Sequence, residues 1–572
     1  MLKYRCKKDN IITINSVCPV CGSRSELEKS DIYWCDDCRV PLYDKICQCC
    51  GREGYRIATD VRPVFPQERL LLELIWNKEP GTYEKSSVWN CSGNYYFIDG
   101  NRIRFSVKEL RNLNVSEIRE KYFKEEKNID ETYFNRYIER FIKANESRYD
   151  FIVKEAISYV KKATEGYTTK DMFVSFSGGK DSTVTSDIVM RALSEPKILH
   201  IFGDTTLEFP ETLKYVEEFQ REHTKTPVLS SRNKDKDFEE LCNLVGPPSR
   251  VMRWCCTVFK TGAIQRKIKT LFRNKNKIIT FYGIRRNESK SRSKYERETE
   301  GSKITKQITI SPIIDWMDFD VWLYILTTGI NFNRAYRLGY ARVGCWCCPN
   351  NSGWSEFLSK IHMKEQSEKF RNMLIDFAIR IGKPDPEVYV DDGKWKARQG
   401  GNGVDYAQKT AVSFEPCALE ENAFNYELSR PISEELYELF KPFGYLNFDL
   451  GNKRLGEVYV TRKNGALVLK LQGRIGSNTL KVSIIDFHID GAKSIGTAEE
   501  KIKCQITKYQ MCMGCRACEG ICKHNAVLIK ENQDGTVSYQ ISNHKCVRCM
   551  ECVNHYTGGC YMRKVLATKK YR

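Results

Sequence analysis

Met172-Phe173-Val174-Ser175-Phe176-Ser177-Gly178-Gly179-Lys180-Asp181-Ser182 carries the reading of the fold. The first five residues are an apolar, β-prone run, and a helical pattern starts near Thr183, so the six residues between them, Ser177–Ser182, are a strand-to-helix turn. Gly178 and Gly179 let backbone amides approach an anion closely. Ser177 and Ser182 offer hydroxyls, Lys180 adds charge, and the helix N-terminus adds its dipole. Such a turn cradles phosphate, but the G-x-x-x-x-G-K-[ST] spacing of a Walker loop is absent, so a different nucleotide class is expected. Working outward, strand-like runs at Ile198–Phe202, Ile278–Tyr282 and Ile308–Ile314 alternate with helical ones. That alternation predicts an α/β unit, a parallel sheet with helices on both faces.

The chain has 572 residues, enough for three to five packed units. Its 92 basic and 73 acidic residues leave +19, a balance that suits phosphate-bearing partners. Residues 250–306 hold 17 Lys and Arg against 4 acidic residues, and a merely solvated surface would mix the signs. Hydrophobic residues at 41% exclude a largely disordered chain. Neither a membrane-length apolar run nor a signal-peptide core is found, so the chain reads as cytoplasmic with no membrane partner. The divisions expected are 1–57, cysteine-rich; 58–150, a small linker module; 151–410, the nucleotide domain; 415–495, an accessory α+β module; and 500–572, again cysteine-rich.

The 25 cysteines fall in C-x2-C pairs in a chain without an export signal, which favours metals over disulfides. At the N-terminus Cys18/Cys21, Cys35/Cys38 and Cys47/Cys50 have the form of zinc knuckles. Cys35/Cys38 with Cys47/Cys50 is the preferred tetrahedron, Cys18/Cys21 with Cys35/Cys38 the alternative, and a leftover pair would recruit Cys6 and Cys49. Vicinal Cys255-Cys256 with Cys345-x2-Cys348 supplies four thiolates from two loops, a complete 4Fe-4S site. Cys347 is a surplus thiol. In the tail, Cys512, Cys515, Cys518 and Cys522 are followed by Cys546, Cys549, Cys552 and Cys560.

Ser177–Ser182 matches Ser-Gly-Gly-x-Asp-Ser, the pyrophosphate loop of enzymes that cleave ATP between its alpha and beta phosphates. With Asp204–Thr212, Gly283–Arg292 and Pro312–Trp316, residues 150–350 resemble the phosphoadenosine phosphosulfate (PAPS) reductase family, whose fold is adenine nucleotide alpha hydrolase-like. The resemblance implies that Ser177, Gly178, Gly179, Lys180, Asp181, Ser182, Asp204, Arg285, Glu288 and Ser289 bind the nucleotide. It implies that Lys180, Asp181, Arg285 and Arg292 act on its reacting end, with Asp181 or Asp204 positioning magnesium. The vicinal pair plus Cys-x2-Cys resembles the adenosine phosphosulfate (APS) reductase branch, where it holds a 4Fe-4S cluster. The tail resembles two-cluster bacterial ferredoxins, in which the fourth Cys of each run ligates the other cluster. This implies Cys512, Cys515 and Cys518 with Cys560, and Cys546, Cys549 and Cys552 with Cys522. Lys523 and Tyr561 depart from that pattern, which has proline at those places. A zinc ribbon and a ferredoxin-like α+β domain would thus flank the nucleotide domain.

Three functions are compatible with these motifs. The expected one is adenylation from Mg-ATP with pyrophosphate release, followed by sulfur transfer to an acceptor such as tRNA or DNA. The intact loop favours it, as does the lack of a Glu-Cys-Gly-type nucleophile segment; Cys417 is a weak substitute. The second is reduction of APS or PAPS to sulfite with electrons from the tail. The third is a non-catalytic electron-transfer or nucleic-acid adaptor. The motifs leave the sulfur source and electron donor open.

Overall fold

The computed structural model describes residues 4–554 and 568–570, apart from 7, 14–16, 24, 28–30, 92–94, 290–291, 301–306, 400–403, 410–411, 490 and 533–536. At its centre lies a six-stranded sheet. Its strands are β1 (Met172–Phe176), β2 (Leu199–Asp204), β3 (Val228–Arg232), β4 (Ile278–Tyr282), β5 (Glu298–Glu300) and β6 (Gln307–Ile310). They run in the order β3-β2-β1-β4-β6-β5, all parallel except edge strand β5. Strand β1 sits in the middle with four of its five residues buried, as a central parallel strand covered on both faces requires. Helix α1 (Lys180–Leu193) leaves the loop after β1, and α2 (Pro210–Glu222) follows β2. The helices α3 (Phe238–Val245), α4 (Gly262–Leu271) and α5 (Asp318–Thr328) complete the layers used below.

The stretch 58–150, expected as a linker module, shares its cores with its neighbours. A four-stranded antiparallel sheet runs from Asn101–Arg104 through Tyr95–Ile98 and Val88–Cys91 to Val61–Pro63. Phe65 packs edge-on to Trp322 of α5, 5.2 Å between ring centres, and Phe105 packs on Trp354 at 5.1 Å. The helix Glu146–Ala163 is clamped to α5 by a buried bidentate pair, Arg148 to Asp320, with both bonds 2.8 Å. Residues 412–484 form a larger sheet whose core continues into the cysteine-rich tail through the helix Ile495–Met511, buried along most of its length. Among the described residues no helix is long and apolar enough to cross a membrane.

Candidate active site and metal centres

The Ser177–Ser182 turn is closed by its own hydroxyls. Ser182 Oγ donates to the Gly179 carbonyl at 2.8 Å and accepts from the Ser177 amide at 3.2 Å. Gly178 has φ +68, and a side chain there would strike Thr212 at 2.9 Å, so glycine is required twice over. Asn333 donates to the Gly178 carbonyl, and the Lys180 amide donates to the Tyr336 hydroxyl at 3.0 Å. Gly283, at the end of β4, approaches so closely that a Cβ would lie 2.5 Å from the Asp181 carbonyl oxygen.

Behind the turn the charges interlock. Lys180 Nζ lies 3.3 Å from Asp181 and 3.2 Å from Asp318. Arg285 donates from Nε to Asp181 at 2.6 Å and from Nη2 to Asp318 at 2.7 Å. Arg285 therefore commits its fork to two carboxylates of the protein. Burial opposes the charge on both cations, yet the paired carboxylates outweigh it and raise both pKa values. Asp318 is held well below the usual carboxylate range: burial acts against this, and Lys180 and Arg285 win. Asp60, from the turn before Val61–Pro63, accepts the Asp318 and Phe319 amides at 3.0 Å and so caps α5. Burial and the neighbouring Asp318 charge push the Asp60 carboxyl up to about 7.

Glu288 accepts from the Arg285 amide and from the Arg292 side chain, while Ser289 Oγ accepts the Arg292 amide. Burial and the nearby Arg342 charge lower the Arg292 pKa. Asp204 ends β2 and accepts the Thr206 amide at 2.8 Å, with Arg232 3.9 Å away. These residues line the carboxyl ends of β1, β2 and β4, where open α/β sheets place ligands. Asp60, Asp318, Tyr336 and Asn333 were not singled out from sequence. Only Asp318 had a signal, three residues beyond Asp315.

The loop after β2 is joined to the second cysteine loop. Glu208 bridges to Cys345, the Trp346 amide donates to the Leu207 carbonyl at 3.0 Å, and Thr205 Oγ1 lies 3.5 Å from Cys345 Sγ. Cys255 and Cys256 lead into a π-helical turn, Cys256–Thr261, that runs on into α4; such turns recur at functional sites. Cys255 faces Cys256, Cys345 and Cys347, and its thiol is raised by the Cys256 hydrogen bond, by burial and by those neighbours. Burial pushes Cys345 up to about 12, while Cys348 closes the turn by donating its amide to the Cys345 carbonyl. Cys255, Cys256 and Cys345 thus converge from two loops, as thiolate ligands of one metal group would.

The tail docks on this same place. Met511, Met513 and Cys515 share one apolar cluster with Trp254, Cys255, Cys345, Trp346 and Cys347. Helix α6 (Ala517–Ile521) lies along α4, where a side chain on Gly520 would meet Gln265 at 2.8 Å. Arg266 donates to the Cys515 carbonyl at 3.4 Å, and Lys269 donates to the carbonyls of Glu519 and Cys522. Burial lifts Cys512 to about 12 and Cys515 to about 11, each also raised by the neighbouring cysteines of their run. Cys522, Cys546, Cys549 and Cys552 line one small cavity. Tyr539 lies between the sets, its phenol raised by burial and by Cys518, Cys552 and Cys512. Cys560 lies outside the described residues.

At the N-terminus Cys35, Cys38, Cys47 and Cys50 bring four sulfurs within 4.8 Å of one another. Cys18 and Cys21 gather instead with Cys6 and Asp9, without Cys49.

Residues 171–351 match the phosphoadenosine phosphosulfate reductase domain. An adenosine 5'-phosphosulfate reductase of Oceanobacillus iheyensis is 30% identical over 191 residues, covering 32% of this chain and 74% of that protein. The chain belongs to this family. An uncharacterized protein of Methanocaldococcus jannaschii is 32% identical over 261 residues, 45% of this chain and 60% of that one, so the chain spans little more than half of that relative's length. Among solved structures, a PAPS reductase of Candida auris in a phosphate complex is 18% identical and covers 34% of this chain and 95% of that one, with a TM-score of 0.26.

Proposed function

We propose that the chain is an iron–sulfur reductase of a sulfated adenine nucleotide, APS or PAPS. One observation carries the reading. Cys515 of the tail's first run packs, half-buried, on the same apolar cluster as Cys255 and Cys345 beside the nucleotide turn, a contact that sulfur transfer alone does not need. 4Fe-4S clusters at Cys255/Cys256/Cys345/Cys348 and in the tail would supply one-electron storage and relay. The turn Ser177–Ser182 and Lys180 would hold the nucleotide phosphates, and Arg292 with Arg342 would face the sulfate. Reduction breaks the bond between sulfur and the bridging phosphate oxygen. Two electrons from an external carrier take sulfur(VI) to sulfur(IV), and the oxygen leaves with the nucleotide monophosphate. The protein's part is electrostatic: cations placed where the leaving phosphate gains charge.

A second reading, adenylation from Mg-ATP with transfer of sulfur to a nucleic-acid acceptor, is supported by the complete phosphate turn and the basic stretch 250–306. Anaerobically purified protein with a reduced viologen decides between them. Sulfite and AMP or its 3'-phosphate from APS or PAPS, with ATP inert, is the expected result. Pyrophosphate from ATP with no sulfite would overturn the reductase reading.

A further inference from the structure

Four turns near the N-terminus each place a residue at positive φ directly after a four-residue unit that starts with cysteine, and two of them carry the same pair of backbone bonds. In Cys47-x2-Cys50 the Cys47 amide donates to the Arg52 carbonyl at 2.8 Å and the Gly51 amide returns to the Cys47 carbonyl at 2.8 Å, with Gly51 at φ +75. Cys18-x2-Cys21 has the same bonds, Cys18 to Ser23 at 2.8 Å and Gly22 to Cys18 at 3.0 Å, with Gly22 at φ +66. In Cys35-x2-Cys38 the Arg39 amide returns to the Cys35 carbonyl at 2.8 Å, with Arg39 at φ +54. The fourth copy contains no second cysteine. The Cys6 amide donates to the Ile11 carbonyl at 2.9 Å and Asn10 takes the left-handed place at φ +51, which puts Asp9 where each other turn has its second cysteine.

We propose that Cys6, Asp9, Cys18 and Cys21 form a second zinc site, with three sulfurs and one carboxylate oxygen, independent of the site at Cys35, Cys38, Cys47 and Cys50. A zinc tetrahedron with ~2.3 Å bonds to sulfur has edges of ~3.8 Å. Here Cys6 Sγ lies 3.5 Å from Cys21 Sγ, and Asp9 Oδ2 lies 3.4 Å from Cys6 Sγ and 3.1 Å from Cys18 Sγ. The all-cysteine set has edges of 3.5 Å (Cys35–Cys50) and 3.7 Å (Cys38–Cys47). Ligand atoms this close serve one ion, because the thiolates of a 4Fe-4S cluster bind separate irons.

The packing agrees. The lobe around this set is a three-stranded sheet of two-residue strands, Ile12–Thr13, Tyr4–Arg5 and Glu26–Leu27. The buried side chains described within it are Cys6, Cys18 and Ser25, so two of the three are proposed ligands. Among the described side chains, then, the buried interior is mostly ligand, which suits folding around a metal. Asp9 and Cys21 are both exposed, against Cys50 alone in the other set, so this zinc is the more accessible of the two.

The test is metal content and ligand spectrum on the full chain, purified anaerobically with zinc and iron counted separately. Wild type should carry two zinc ions per chain. Cys18→Ser should lose one and keep its iron, and Cys35→Ser should lose the other. With cobalt(II) exchanged for zinc in Cys35→Ser, the remaining site should give the weaker, blue-shifted charge-transfer bands of three sulfurs and one oxygen, and Asp9→Cys should convert them to the four-sulfur pattern. A single zinc per chain that survives Cys18→Ser, or a four-sulfur spectrum without the Asp9 change, overturns the proposal whatever reaction the nucleotide domain performs.

Discussion

Replacing Asp318 by Asn tests whether the site's cations are held ready by carboxylates that stand in for nucleotide phosphates. Asp318 accepts from Lys180 at 3.2 Å and from Arg285 at 2.7 Å, and those two side chains are 5% and 4% exposed. Breaking a buried ion pair by removing one partner costs about 3–5 kcal/mol. Asp318 itself is 33% exposed, so water screens part of the interaction, and Asn retains an acceptor oxygen. We therefore expect a loss of ~2–3 kcal/mol. At about 2–4 °C per kcal/mol for a domain of this size, the transition that reports the nucleotide domain should fall by ~4–12 °C. Added AMP should recover a larger share of the loss than it adds to wild type, because a phosphate now restores neutrality to two under-compensated cations. Scanning calorimetry of the anaerobic protein with and without AMP reads both quantities. An unchanged transition, or equal gains from AMP in the two proteins, would refute the reasoning.

Lys180→Ala should abolish nucleotide binding by equilibrium dialysis while leaving iron content intact. Cys345→Ser should remove one cluster's iron and spare the tail's; loss of all iron together would contradict separate sites. Changing Arg266 and Lys269 together to Ala should leave the tail reducible by viologen yet slow the electron-dependent reaction several-fold, with nucleotide binding unchanged. His200, in β2, is buried against Ser186 of α1, where burial lowers its pKa from 6.5 to about 4. A depressed histidine contributes stability that is present above pH 6.5 and lost as pH falls through 4. Denaturant midpoints should therefore fall across that window by an amount equivalent to about 3 kcal/mol, and the drop should flatten in His200→Gln.

The central strand, the phosphate turn and the spacing of cysteine runs were legible because each is a local pattern: period, glycine placement and C-x2-C. The parallel sheet follows from the alternation of β-prone and helical runs, whereas knuckle form leaves two pairings open, of which the structure gathers the preferred one, Cys35/Cys38 with Cys47/Cys50. Asp60 was not legible, because its partners lie 258 and 259 residues away and an isolated acid in a turn has no spacing to mark it. Asp9 is hard to read for a related reason: residue type does not mark it, and its turn is defined by left-handed Asn10 and the bond from the Cys6 amide to the Ile11 carbonyl. Arg285 was placed at the reacting group by analogy, and its sequence carried no sign that Asp181 and Asp318 would engage it. The stretch 58–150 reads as a small module of its own, yet Phe65, Val61 and Trp89 bury themselves in cores built largely from other segments.

The cap that Asp60 places on α5 has a practical meaning for anyone cutting this chain into parts. The segment recognisable by family, 171–351, begins after Asp60, Phe65 and Arg148 have already passed. Excised alone, it would carry two bare amides at the start of α5, an exposed face on Trp322 and a buried Asp320 that has lost its cation. The edges of the family match are therefore not those of a packed unit, and a piece cut for study should start at least as early as the turn that carries Asp60.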